Sequence, residues 1–398
     1  MDVLGSGRLT VGEQLEMRRR RRGLSRKVVA DLVGRSAEWL RLVESGRRKL
    51  DSIEVLTRLA DVLAIADPTD LIDWQIAGDS RLDTRGDDLD DMRRAIMEHP
   101  WTSADYGVTQ ADWTLKRCDQ AWSRSRRRFS IVARELPPIL SACRAAHGHL
   151  QDRRSGELLV YANHLARRLL TARGEHNLAA TVADRSMAVS AALRDSLRMS
   201  ASAWHVAQSL AALCYTRESH DYALAAAHRI GEKPPADIER ATLWGALHLL
   251  GARSAASARD ISEALRLLAI AQHLVDNGID HQKFGIAFGP IELGIARVRI
   301  ALTQHDPERA IRLAAALDIP EQYPVGCRSE YHIDLACAYL ARDDDVAAAF
   351  ALSKAASISP EDIRYNTAAH RCLQYLLRND NHLIRREVAA IAALAEAD

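Results

Sequence analysis

The sequence predicts an all-α protein in which a four- or five-helix amino-terminal domain precedes a long array of paired helices. Glycine (20) and proline (11) are scarce among the 398 residues, and apolar residues recur at helical rather than alternating spacing. Hydrophobic residues make up 47% of the chain and aromatic residues only 5%, so the core is mostly aliphatic. This composition excludes a β-sandwich, a β-barrel and a disordered chain.

Charge divides the chain into zones. Lysine and arginine (54) balance aspartate and glutamate (53), which excludes a uniformly basic nucleic-acid-binding coat but permits a local basic patch. Residues 1–66 hold 14 basic and nine acidic side chains, whereas residues 67–91 hold two basic and nine acidic ones. We therefore expect a domain over 1–66 and an acidic linker over 67–91. The alternative is a surface loop whose aspartates cap a helix that starts near Leu89.

Capping residues divide the amino-terminal domain into short helices. Ser25 and Ser36 are good N-caps, and Gly23, Gly34 and Gly46 are typical helix stops. The predicted helices cover 11–22, Arg26–Val33 and Ala37–Ser45, and a fourth starts at Ser52. The second and third helices, joined by a short turn containing glycine, make a helix-turn-helix pattern.

Residues 23–49 resemble the XRE family of phage-repressor (Cro/CI-like) DNA-binding domains. The resemblance extends over residues 11–65 and includes Ala30 in the second helix and the Val43-Glu44-x-Gly46 ending of the third. It implies a domain that binds an inverted repeat in double-stranded DNA as a homodimer.

The third helix is the candidate base-reading element. Leu40 and Val43 must face the core, which leaves an exposed stripe on the opposite side. The resemblance implies that the base-reading residues are Ala37, Glu38, Arg41 and Leu42. Arg41 has the donors for a bidentate pair with guanine, and Glu38 can accept from a cytosine amine.

Phosphate contacts are expected on both sides of the third helix. The candidates are Arg26, Trp39, Ser45, Arg47, Arg48 and Lys49. For Trp39 two alternatives are open: packing on the sugar-phosphate wall or packing on the second helix. The basic run Arg18–Arg22 complements a helix carboxyl end whether or not it also binds phosphate.

The rest of the chain reads as helices throughout. Residues 92–157 form a helical connector, in which Leu136-Pro-Pro-Ile-Leu140 predicts a break or a kink. Residues 158–398 resemble tetratricopeptide repeats with degenerate spacing, because small residues recur where two helices of a pair would cross. These central positions are Ala179, Ala223, Ala264, Ala310 and Ala348. Each follows by nine residues a position in the preceding helix, namely Leu170, Cys214, Ala255, Ala301 and Tyr339.

A repeat array of this kind has a concave inner face suited to a ligand. The candidate ligand residues are Tyr161, His164, Arg168, His205, Gln208, Tyr215, Arg253, Glu292, Arg299 and Glu330. Among them, Arg168, Arg253 and Arg299 are candidates for binding a carboxylate. The order of the two domains resembles the ligand-responsive RRNPP regulators, which implies quorum sensing through a signalling peptide; a small signalling molecule is the alternative.

Several functions are excluded by what the sequence lacks. No phosphate-binding loop, zinc-protease, nucleophile-elbow or metal-spaced His/Cys motif occurs, so we expect neither an enzyme nor a cofactor. The six cysteines form no C-x-x-C pair, and most are expected to be buried thiols. Without a leader or an 18-residue apolar stretch, we expect a cytoplasmic protein that contacts no membrane and is nucleoid-associated when bound to DNA.

Two functional hypotheses follow. The first is a transcriptional regulator whose array senses a ligand and changes the geometry of a homodimer. The second is a tetratricopeptide-like scaffold for protein–protein interaction that carries a weak or vestigial helix-turn-helix docking module.

Overall fold

A computed structural model describes residues 11–48, 53–63, 89–97, 108–379 and 381–396. The chain forms two compact units, Met1–Arg85 and Gly86–Asp398. The boundary between them falls inside the predicted linker 67–91. Most of that linker lies outside the described residues, as do Ser52 and Lys49.

The amino-terminal unit holds four helices in its described residues: α1 (Val11–Arg21), α2 (Arg26–Leu32), α3 (Ala37–Glu44) and α4 (Ile53–Leu63). Ser25 and Ser36 are the N-caps of α2 and α3, and their hydroxyls accept from the backbone N–H groups three residues on, at 3.2 and 3.1 Å. Gly46 has a φ of 70°, which only glycine adopts readily, and it follows the end of α3. The predicted caps and stops around α2 and α3 are confirmed.

An aliphatic core joins the four helices. Leu15, Val29, Leu40, Val43 and Leu59 are nearly inaccessible to solvent and contact one another. Because Leu40 and Val43 face this core, the opposite side of α3 is turned to solvent, as predicted.

The described residues of the second unit are helical apart from turns and one short hairpin. Its first helices are α5 (Asp90–Met97), α6 (Val108–Arg124), α7 (Arg128–Leu150), α8 (Arg153–Ala172), α9 (His176–Ala192), α10 (Ser196–Ala212), α11 (Thr216–Ile230), α12 (Ile238–Ser257) and α13 (Ile261–Asp276). The hairpin strands are β1 (His281–Lys283) and β2 (Ile286–Phe288). The last helices are α14 (Pro290–Thr303), α15 (Pro307–Ala315), α16 (Val325–Leu340), α17 (Asp345–Ile358), α18 (Pro360–Tyr365), α19 (Thr367–Asn379) and α20 (Arg385–Glu396).

The hairpin is the sheet structure found in the described part of the second unit. Its strands are antiparallel, with His281 opposite Phe288, and Phe284-Gly285 form a two-residue turn with positive φ at both positions. Phe288 is fully buried against α12, while the Phe284 carbonyl accepts from Arg168 on α8 at 3.2 Å. The hairpin therefore links two helices that are distant in sequence.

The helix α7 passes through Pro137 and Pro138 without ending, so a break, the first of the two predicted alternatives, is wrong, and the kink stays a prediction. Each proline removes one backbone hydrogen bond. The residues on either side, Leu136 and Ile139, are almost completely buried, and α7 packs between α6 and α8. Burial of this segment offsets the missing hydrogen bonds.

A repeated turn sets the spacing of the helix pairs. A residue with positive φ is followed directly by an aspartate that caps the next helix. The pairs are Gln151–Asp152, Arg194–Asp195, Arg259–Asp260, His305–Asp306 and Asp343–Asp344. Such short turns make consecutive helices antiparallel neighbours, which gives the tetratricopeptide-like arrangement that the sequence predicts.

The central small position is the fourth residue of the second helix in each pair, and every residue there is 0% exposed. These residues are Ala179, Ser219, Ala264, Ala310 and Ala348. The sequence prediction is wrong in the second repeat, where it selected Ala223 and placed Cys214 in a helix. Cys214 lies in the turn after α10, with a φ of 65°. Ala223 is one turn further along the same buried face, which explains the slip in register.

Ser219 fits this contact because its hydroxyl is satisfied. It donates to the Ala207 carbonyl at 2.8 Å and lies 2.9 Å from the Ser254 hydroxyl. A small polar residue can therefore replace alanine where the helices cross.

An early and a late helix of the second unit, α7 and α18, are in contact. Arg128, at the start of α7, bonds the Asp362 carboxylate of α18 at 2.5 Å across 234 residues of sequence. Glu361 accepts from the backbone N–H groups of Phe129 (2.7 Å) and Ser130 (3.3 Å). Residues of the predicted connector are therefore built into the same unit as the repeats.

Candidate functional site

The four predicted base-reading residues lie together on the solvent side of α3. Ala37, Glu38 and Arg41 are exposed and Leu42 is half-buried. A rigid helix with its opposite side fixed in a core can present this face to a DNA major groove without rearrangement.

Glu38 and Arg41 form a bidentate ion pair within the stripe. The Arg41 Nε and Nη2 atoms donate to the two Glu38 carboxylate oxygens at 2.7 and 2.6 Å. These hydrogen bonds raise the pKa of Arg41 and lower the pKa of Glu38. Both side chains are exposed, and a pair of this kind is weak, so a base edge can compete for either partner.

A buried carboxylate fixes the position of α3. Glu44 is 5% exposed and accepts from Arg19 Nε at 2.5 Å and from Arg26 Nε at 2.6 Å. Burial opposes ionisation, but the hydrogen bonds from both arginines outweigh it and hold the pKa of Glu44 below its usual value. The three residues tie α1, α2 and α3 together. Sequence reasoning gave Glu44 no role, because its partners come from other helices.

The predicted phosphate-binding residues are in different situations. Arg26 is engaged by Glu44 and, at 3.3 Å, by Glu16. Ser45 is exposed and donates to the Leu42 carbonyl, and Arg47 and Arg48 are exposed just after α3. Lys49 lies outside the described residues.

Trp39 is mostly buried. It is 8% exposed and contacts the aliphatic cluster of the amino-terminal unit. The Arg35 guanidinium lies 5.8 Å from its ring centroid. Arg35, Ser36, Trp39 and Arg48 also line a shared polar depression beside the start of α3.

Two charge clusters occur on the helices predicted to line the inner face of the array. In the basic cluster, Arg168 donates to Asp119 at 3.0 Å, while Arg167 donates from Nε to the His205 Nδ1 at 2.9 Å. His205 stacks on His164 with ring centroids 4.0 Å apart. Burial lowers the pKa of both histidines well below 6.5, so both rings are neutral.

The basic cluster carries excess positive charge. Arg167 has no ion pair among the described residues, and burial together with the neighbouring Arg168 lowers its pKa to about 9. The Nδ1 of His205 accepts from Arg167, so its Nε2 carries the proton; that Nε2 is buried and has no partner in the described chain. Tyr161 is nearby: burial and Asp119 raise the pKa of its hydroxyl.

The second cluster contains both acidic and basic side chains. Arg299 donates to Asp334 at 2.7 Å and to Glu330 at 2.9 Å. Arg128 lies 3.9 Å from Glu330. The Arg253 guanidinium makes no hydrogen bond or ion pair with the described residues, and burial and Arg299 lower its pKa to about 10.

Other predicted inner-face residues do not join these clusters. Tyr215 is 54% exposed and occupies the N-cap of α11, because the second repeat begins one turn earlier than its predicted frame. Gln208 remains on α10 and is half-buried. Burial raises the pKa of Glu292 to about 7. Arg167 was missed by sequence reasoning, since it lies between two predicted positions of the same helix.

The described residues hold no group of three or more His, Cys, Asp or Glu side chains able to bind a metal ion. Within the same part of the chain, no helix is both long and apolar enough to cross a membrane.

Comparison with known proteins finds a match for the amino-terminal unit. Residues 10–72 match a family model described as a helix-turn-helix domain. No curated protein matches the chain significantly. Among solved structures, Bacillus thuringiensis PlcR in complex with the peptide PapR7 and DNA matches 67% of this chain and 95% of its own, at 13% identity and a TM-score of 0.31. At that level PlcR's ligands do not transfer to this chain. The protein thus joins a helix-turn-helix domain to a tetratricopeptide-like helical array.

Proposed function

We propose that this protein is a sequence-specific transcriptional regulator that binds an inverted repeat in DNA as a homodimer. The observation that carries the proposal is the exposed stripe of α3, held rigid from behind by Leu40, Val43 and the ion-paired Glu44. An exposed helix face of this size fits the DNA major groove.

The stripe has the chemistry to read bases. Arg41 donates two hydrogen bonds to guanine, Glu38 accepts one from a cytosine amine, and Ala37 and Leu42 contact thymine methyl groups. Without DNA, Glu38 and Arg41 satisfy each other. Arg26, Arg47 and Arg48 bind phosphates, and Arg26 also bonds Glu44.

Gel-shift titration of Arg41 variants over a range of salt concentrations tests the proposal. Arg41→Ala should weaken specific binding by about 1–3 kcal/mol and relax the preference at one base pair. Arg41→Lys keeps the charge but loses the bidentate geometry, so it should retain nonspecific affinity and still lose the preference. A ratio of specific to nonspecific affinity that stays unchanged in both variants would contradict a DNA-reading role and favour the scaffold alternative.

We propose that the inner face of the array binds a signalling ligand, a peptide or a small molecule, through an anionic group. Arg167 and Arg253 support this, because each is a guanidinium without an ion pair among the described residues. Binding would change the geometry of the dimer, in a cytoplasmic protein that is nucleoid-associated when on DNA.

Native mass spectrometry of the full-length protein purified from its own cells tests this second part. A bound small mass should be present in the wild type and reduced at least about tenfold in Arg253→Ala, a loss of about 1.4 kcal/mol or more. The exposed Arg217→Ala on α11 is the charge-matched control. If Arg253→Ala and the control carry equal amounts of the bound ligand, Arg253 is not part of the ligand site.

A further inference from the structure

Two thiols from different helices lie in contact in the carboxyl-terminal part of the array. The sulfur atoms of Cys337 on α16 and Cys372 on α19 are 3.4 Å apart, although 35 residues separate them in sequence. A disulfide bond is about 2.05 Å long, so these sulfurs, now 3.4 Å apart, need to approach by only about 1.4 Å to be joined. The two helices already pack against each other.

We infer that Cys337 and Cys372 are an oxidation site, at which a peroxide converts the two thiols into a disulfide that joins α16 to α19. This site depends neither on DNA binding nor on the proposed ligand. The other cysteines differ from this pair, since Cys118 and Cys143 are buried and Cys214 and Cys327 are exposed without a thiol partner.

The surroundings give the two thiols different roles. Cys337 is partly exposed and Cys372 is buried. A hydrogen bond from the Cys372 thiol lowers the pKa of Cys337, whereas this hydrogen bond and burial raise the pKa of Cys372. The thiolate is the form that reacts with peroxides, so Cys337 is the attacking residue and Cys372 the resolving one.

The reaction balances with hydrogen peroxide as the oxidant. The Cys337 sulfur attacks one peroxide oxygen, the O–O bond breaks, and the departing hydroxide takes the thiol proton to leave as water. Cys337 is then a sulfenic acid. The Cys372 sulfur attacks the Cys337 sulfur, an S–S bond forms, and the S–O bond breaks with release of a second water that carries the Cys372 proton.

The disulfide would act on a helix that carries ligand-site candidates. Glu330 and Asp334 lie on α16, two turns and one turn before Cys337, and both bond Arg299. α19 belongs to the carboxyl-terminal core with α17 and α20. Oxidation therefore fixes the position of α16 relative to the end of the array.

Peptide mapping of the full-length protein tests the inference. The wild type is treated with hydrogen peroxide, alkylated, and digested with trypsin without reduction. We expect peptide 329–342 linked to peptide 372–378, two of the six thiols protected from alkylation, and an intact mass about 2 Da lower. Dithiothreitol should reverse all three changes.

Serine variants supply the controls. Cys337→Ser should abolish the linked peptide and leave Cys372 unmodified, while Cys372→Ser should leave a sulfenic acid on Cys337 that dimedone traps. Cys214→Ser and Cys327→Ser, at exposed sites, should not change the yield of the linked peptide. The inference would be overturned if Cys337 and Cys372 of the wild type stayed free at peroxide doses that oxidise Cys214. It would also be overturned if disulfides between Cys327 and either cysteine formed in equal yield. The wild-type result decides even if a serine variant fails to fold.

Discussion

The outward stripe of α3 and the inner face of the array differ in how their charged side chains are held. On α3, Glu38 and Arg41 pair within one helical turn and remain exposed. On the inner face, Arg299 reaches residues 31 and 35 positions away, and Arg128 reaches one 234 positions away. The first surface is made by one short helix and its caps, whereas the second exists only after the whole array has assembled.

The largest expected effect concerns the carboxylate that supports the α3 stripe from behind. Glu44→Ala removes the carboxylate that the buried Arg19 bonds most closely, and removing one member of a buried pair costs about 3–5 kcal/mol. Hydrogen exchange in the full chain should show faster exchange throughout α1–α3 and no change in α8–α13.

Glu38→Ala is the matched control for this variant, because it removes an equally charged residue of the same helix from an exposed pair. We expect its exchange rates in α1–α3 to match the wild type. Similar exchange in both variants would mean that Glu44 does not hold the helices together.

An intermediate effect concerns the pH dependence of the array. Glu292 has a folded-state pKa of about 7 against an ordinary value of 4.5, so the folded body binds its proton more tightly. Stability from this group is present below pH 4.5 and is lost as the pH rises toward 7. Glu292→Gln should therefore stabilise the body by about 1–2 kcal/mol at pH 7.5 and much less at pH 4.5 in urea unfolding.

His164 and His205 act in the opposite direction. Their pKa values are lowered, so the stability they contribute is present above pH 6.5 and lost as the pH falls. Because wild type and Glu292→Gln share both histidines, the difference between the two proteins isolates Glu292. A difference that does not vary with pH would contradict a raised pKa at Glu292.

The smallest effect tests the repeat itself. Ser219→Ala restores the residue found at the equivalent position of the other pairs, but it removes the hydroxyl that bonds the Ala207 carbonyl and Ser254. We expect a loss of about 1 kcal/mol in thermal or urea unfolding. Ser257→Ala, at an exposed site of α12, should be neutral. A stabilised Ser219→Ala would show that these hydrogen bonds carry no net benefit.

Local patterns predicted the amino-terminal unit well, because caps and stops act within one or two turns. Ser25, Ser36 and Gly46 fix the ends of α2 and α3, and helical periodicity separates Leu40 and Val43 from the exposed stripe. The function of Glu44 was not predictable in the same way, since its partners lie 18 and 25 residues earlier.

The sequence predicted the type of helical array but not the alignment of every repeat. Alanine recurs where its helices cross, yet Ser219 satisfies the same contact, and Ala223 on the next turn is equally buried. Small size alone does not distinguish the two positions, so the frame of the second repeat slipped by one turn. The clustering of Arg128, Arg299 and Glu330 depends on packing between helices that no local pattern records.

The joint between α7 and α18 has a mechanical consequence. A helical array whose ends are free changes its length and twist gradually. In this protein, the Arg128–Asp362 ion pair and the Glu361 contacts connect α7 to α18. These contacts oppose small changes in the curvature of the array. A change large enough to alter the curvature must first break the contacts between α7 and α18. The curvature would then change above a threshold and not in proportion to the force applied.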